Sequence, residues 1–260
     1  MKALLPLGGS IALMLMAAAC KKPETQAAAP AASAPESPAA KATGEGKAAE
    51  AKEEAGQGKA GDRSQRAELS VKLNAAQNLF AARNIAATLK ALDEVPEEFR
   101  GDPGFLTLRG ACYTEQRDFK AALEDFKEAA KKKPGDPSIR FNVAEISFVL
   151  HEWEEAIKGF QVLQSQGATK GEVGALVDFK LMLCEEGRGN AAEFDRRATE
   201  NLTEADSILA GYTKAAMEFR SGQKDEARVT LAEVEKNFPE RSARAPWYDT
   251  MVEFGYLPGK

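Results

Sequence analysis

One histidine and three cysteines are all that 260 residues provide of the side chains that most often hold transition metals. A zinc site of the usual kind needs four closely organised ligands, and Cys112, His151 and Cys184 stand singly, with no paired spacing. No metal centre or cofactor is expected. A basic excess is missing too: 35 lysines and arginines face 40 acids, a net charge of -5, which gives no electrostatic footprint for nucleic acid. Runs of alternating β-branched residues are absent, whereas alanine, lysine and glutamate abound, so the expectation is all-α. His151 lies in "LHEWEE", in what reads as a turn between helices, with no serine or cysteine nucleophile motif-linked to it. The adjacent acids Glu97 and Glu98, or Glu185 and Glu186, cannot face one another on a helix and read as solvated helix ends. Nothing in this inventory assembles a catalytic constellation, and the chain is read as non-enzymatic.

What is present begins with "MKALLPLGGSIALMLMAAAC", which has a charged Lys2, an apolar run, and small residues Ala17, Ala18 and Ala19 before Cys20. Residues 1–19 resemble a bacterial lipoprotein signal, except that Ala17 stands where that family most often has leucine. The resemblance implies that Cys20 carries the lipid, with acyl chains anchoring the protein stably in a membrane. Lys21 after the cysteine resembles outer-membrane sorting, so the expected location is the outer membrane of the bacterial envelope, facing the periplasm. Plain cleavage before Cys20 with release of a soluble periplasmic protein, or an uncleaved membrane anchor, are the alternatives.

Residues 20–62 contain no leucine, isoleucine, valine or aromatic and cannot offset the entropy of ordering. This segment reads as a disordered tether with a reach on the order of 35 Å. Its stretch "AAEAKEEA" has the composition of a transient helix.

From residue 63 onward the chain is self-similar. A shift of 34 residues lays "RDFKAALEDFKEA" on "HEWEEAIKGFQVL", matching Phe119 to Trp153, Ala122 to Ala156, Phe126 to Phe160 and Gly110 to Ala144. Phe119, Ala122, Phe126 and Ala129 step by three and four along one helix face. Small residues at Gly110 and Ala122 let two antiparallel helices approach. Asp118 is placed to cap the second helix, Lys131, Lys132 and Lys133 to favour its C-terminal dipole, and Pro134 to end it. Gly110, Tyr113, Phe119, Ala122, Phe126, Ala129 and Pro134 together resemble the tetratricopeptide repeat. That resemblance implies a right-handed superhelical solenoid of antiparallel helix pairs. The best units are 103–136 and 137–170, with weaker ones near 69–102, 171–204 and 208–241. In "TEADSIL", Thr203 and Asp206 suggest a cap opening the last of these. Trp247, Met251 and Phe254 then mark a capping helix over about 243–256.

The resemblance also implies a concave face lined by the first helix of each pair. On it fall Phe80, Thr107, Phe141, Glu145, Phe148, Tyr212 and Phe219. Recurrent aromatics there suit an apolar trough for a protein or peptide partner. The competing possibility is that neighbouring helices bury the same rings. A carrier for a small ligand or glycan, enclosed by Phe141, Phe148, Tyr212 and Phe219, is the functional alternative. Cys112 and Cys184 lie about two repeats apart, too far for a disulfide, and read as buried small hydrophobes.

Overall fold

The computed structural model describes residues 50–259, with side chains from residue 65 onward. The signal segment 1–19, Cys20 and the tether up to residue 49 lie outside the described residues. Within them are eleven α-helices, one short 3₁₀ turn and no strand. In chain order these are α1 (Glu50–Ala81), α2 (Ile85–Asp93), α3 (Pro103–Glu115), α4 (Phe119–Lys132), α5 (Pro137–Val149) and α6 (Trp153–Ser165). There follow α7 (Gly171–Gly187), α8 (Ala191–Asn201), α9 (Ile208–Arg220), α10 (Lys224–Asn237) and α11 (Arg241–Phe254). The first ten pair consecutively into five helical hairpins, stacked so that each second helix also meets the first helix of the next unit. α1 begins at Glu50, inside the segment read as a tether to residue 62. Alanine, glutamate and lysine favour helix in that extension, while Gly56, Gly58 and Gly61 oppose it.

Local chemistry explains the repeat. Asp102 and Asp136 each accept backbone N–H bonds at the head of α3 and α5, with Pro103 and Pro137 at the first turn, where proline costs nothing. Asp118 caps α4 through the N–H of Ala121 at 3.2 Å, and Asn84 does the same for α2 through Ala87. Each hairpin turn contains one residue with positive φ: Arg83, Arg117, His151, Gly189 and Gly222. Three of the five pay a side-chain penalty at a left-handed position that glycine fills freely.

Close approach is visible at two glycines of the best-matched units. A Cβ on Gly110 would stand 2.8 Å from the Phe126 ring, and one on Gly159 would stand 2.7 Å from Ala144 Cβ. Arg109 ties the same α3–α4 pair by donating through Nε and Nη2 to both carboxylate oxygens of Asp125 at 2.7 Å.

The weak fourth unit has a physical cause. α7 runs to 17 residues where α5 has 13, which displaces α8 relative to the other second helices. Three residues into α8 comes Phe194, where α4 and α6 place Ala122 and Ala156; seven residues in comes Ala198, where they place Phe126 and Phe160. Large and small have exchanged places, and both Phe194 and Ala198 are fully buried. The Arg220 guanidinium lies 4.3 Å from the Phe194 ring centroid.

Two details differ from the sequence expectation. The fifth unit opens at Ser207, whose Oγ accepts the Ala210 N–H at 3.1 Å, while Thr203 donates to the Glu200 carbonyl and sits outside any helix. Glu185 is buried rather than solvated, because Arg188 Nε and Asn190 Nδ2 donate to its carboxylate at 2.6 and 3.0 Å.

Apolar packing divides in two. One cluster joins α1, α2 and α3 to Ala129 and Ile139, and a larger one runs from Ala122 to Met251.

Candidate functional site

The expected partner-facing residues fall into two groups. Phe80 is buried in the N-terminal cluster and Thr107 is half-buried on α3, apart from the others. Phe141, Glu145 and Phe148 on α5, with Tyr212 and Phe219 on α9, come together around α7. Their face is not an open trough. α11 lies across it, touching α5, α7 and α9, the first helices of three successive units. The apolar periodicity of Trp247 and Met251 does bury a helix face, but it does so against the inner helices of the solenoid.

The α11 side chains meet specific partners. Trp247 stacks on Tyr212 with ring centroids 5.7 Å apart and lies 5.6 Å from Phe179. Met251 is fully buried. Phe254 approaches Trp153 at 5.5 Å, and beyond the helix Tyr256 stacks on Phe219, also at 5.5 Å. Gly255 allows that return, ending α11 in a left-handed conformation at φ 99°. The His151 ring adds a bond from the α5–α6 turn, Nε2 donating to the Glu253 carbonyl at 3.0 Å.

At the centre is a buried ion cluster. Lys180 Nζ lies 2.9 Å from Glu145 Oε1 and 3.3 Å from Glu253 Oε2, with the Phe148 ring centroid 4.3 Å away. The lysine side chain is 1% exposed. Burial opposes its charge, but the Glu145 and Glu253 carboxylates outweigh that and raise its pKa above the ordinary lysine value. Burial pushes Glu253 up to about 7, against the pull of Lys180. Two carboxylates thus share one ammonium, and Glu145 Oε2 has no hydrogen-bond partner.

Glu145 was legible as a first-helix residue; Lys180 and Glu253 were not. The available signal was a lysine flanked by Phe179 and Leu181 in the largely apolar stretch Leu176–Leu183, whose other charge is Asp178, and a single glutamate between Met251 and Phe254. An isolated charge in such a setting calls for a buried counter-ion.

Neither described cysteine is an activated nucleophile. Burial pushes the Cys112 thiol up to about 12 and the Cys184 thiol upward as well, which suppresses the thiolate. Among the described residues no cluster of three or more His, Cys, Asp or Glu is placed to hold a metal. None of the described helices is long and apolar enough to cross a membrane.

The stacked hairpins define a helical-repeat protein. Residues 73–137 and 113–177 each match a family model described as tetratricopeptide repeat, and together the matches span 73–177. No curated protein sequence matches the chain. Among solved structures, MamA from Desulfovibrio magneticus RS-1, residues 41 to the end, is similar at TM-score 0.52 and 15% identity, over 66% of this chain and 96% of that one. A MamA RS-1 ArsTM double mutant gives TM-score 0.51 at 15% identity, over 65% of this chain and 93% of that one. At that identity the likeness concerns the fold.

Proposed function

We propose that this protein is a non-catalytic scaffold that binds another envelope protein or peptide through the first-helix face of its repeats. A lipid on Cys20 holds it at the outer membrane, facing the periplasm, with the segment before the repeats giving it reach. The observation that carries the reading is that this face already receives a helix. Rings that would enclose a small ligand, Phe148 and Tyr212 among them, are instead packed against polypeptide. Protein recognition is therefore favoured over small-ligand carriage.

The test is site-specific photo-crosslinking in intact cell envelopes. A crosslinker at Gln77 or Thr107, half-buried on the first helices α1 and α3, should give a discrete protein adduct; at the exposed Glu124 of the second helix α4 it should give none. Equal adducts at all three positions, or no adduct at the first two, would sink the reading. For the anchor, Cys20→Ala should move the protein from the membrane to the soluble fraction, and retention in the membrane would refute lipid attachment there.

A further inference from the structure

α11 is seated as a foreign helix would be. It crosses the first helices of three units, and its tie to its own neighbour α10 includes the Arg244–Glu235 ion pair at 2.9 Å. Its start is weakly held: Glu240 supplies no side-chain cap, Arg241, Ser242 and Ala243 are exposed, and Pro246 removes one backbone donor. The three residues Phe238, Pro239 and Glu240 alone connect it to α10.

Seating it also leaves polar groups poorly served. The cluster it completes has one carboxylate in excess, and Glu145 Oε2 and the Tyr256 hydroxyl are buried without hydrogen-bond partners. Each such group is penalised in the closed state and relieved by water when the helix leaves. Against this stand the specific contacts that choose α11: the Phe179–Tyr212 slot for Trp247, and Lys180 for the Glu253 carboxylate.

We propose that α11 is a built-in, releasable occupant of the face formed by α5, α7 and α9, and that the partner replacing it is a helix of another protein with the same chemistry. That helix carries an aromatic ring, an apolar side chain four residues on, a carboxylate six on and a second aromatic seven on, as Trp247, Met251, Glu253 and Phe254 do. The proposal rests on the scaffold reading and names the partner's chemistry. A partner then competes with α11, and its apparent affinity falls by the fraction of molecules in which the face is free.

A fluorescent peptide of residues 240–257 serves as the probe, titrated against the full-length protein and followed by anisotropy. Trp247→Ala in the protein weakens its own helix and should tighten peptide binding by about tenfold or more over the parent protein. A peptide with Trp247→Ala, or with Glu253→Lys facing Lys180, should lose that binding. Peptide binding that is absent from the folded Trp247→Ala protein, or indifferent to the peptide substitutions, overturns the proposal. Should Trp247→Ala fail to fold, hydrogen exchange on the parent protein decides: α11 amides should exchange about tenfold faster than α9 amides, and equal protection overturns the proposal. Crosslinks at Gln77 and Thr107 with a peptide that never binds would remove α11 replacement and leave the scaffold. Peptide exchange without any crosslinked partner would do the reverse.

Discussion

Lys180→Ala is expected to destabilise the protein by about 3–5 kcal/mol, because it leaves the Glu145 and Glu253 carboxylates buried together without their cation. Chemical denaturation of parent and variant at pH 7 measures it, and a loss near zero would mean that the cluster is hydrated. The effect should be pH-dependent, with a sign that follows from Glu253. Its pKa is raised from the ordinary 4.5 to about 7, so the neutral form favours the seated helix. That contribution is fully present below about 4.5 and is lost as pH rises through 7. The groups facing Glu253 are Lys180 from α7, Glu145 from α5 and Asp249 from its own helix, with His151 on its carbonyl. Lys180 remains charged throughout that window, since its pKa is raised above 10.5. Glu253→Gln should therefore flatten the decline in stability between pH 4.5 and 7.

Phe126→Ala is the second large effect, expected to cost about 3–5 kcal/mol as a core truncation. The ring is fully buried and fills the space that the missing Cβ of Gly110 leaves open. No small rearrangement closes such a hole, because Gly110 and Phe126 belong to different helices whose spacing is set elsewhere by Arg109 and Asp125. Denaturant melts of the variant measure the loss. A near-zero value would remove the repeat register on which the fold rests.

Much of this architecture was legible because the repeat is written in local terms. The Asp118 cap and the steps among Ala122, Phe126 and Ala129 depend on neighbours within one hairpin, and the match of Trp153 to Phe119 repeats that pattern one hairpin on. The fourth unit resisted because Phe194 and Ala198 exchange sizes after the longer α7, a compensation between two helices that no single-helix pattern reveals. Thr203 resembled a cap on chemistry alone, but Ser207 starts the helix that packs. The destination of α11 was hidden for a deeper reason. Trp247, Met251 and Phe254 specify an apolar face, and an apolar face is the same signal whether it closes the end of a stack or lies along its inside. Lys180 and Glu253 were the residues that distinguished those cases, and the meaning of each depends on a partner 73 residues away.

A repeat array is ordinarily a one-dimensional object in which each unit senses only its neighbours and can unfold piecemeal. The return of α11 changes that topology, since the bond from His151 to the Glu253 carbonyl spans 102 residues and closes a loop around three units. Those units must melt as one cooperative block while the helix is seated, whereas α1 to α3, with an apolar cluster of their own, form a second block joined to it through α4.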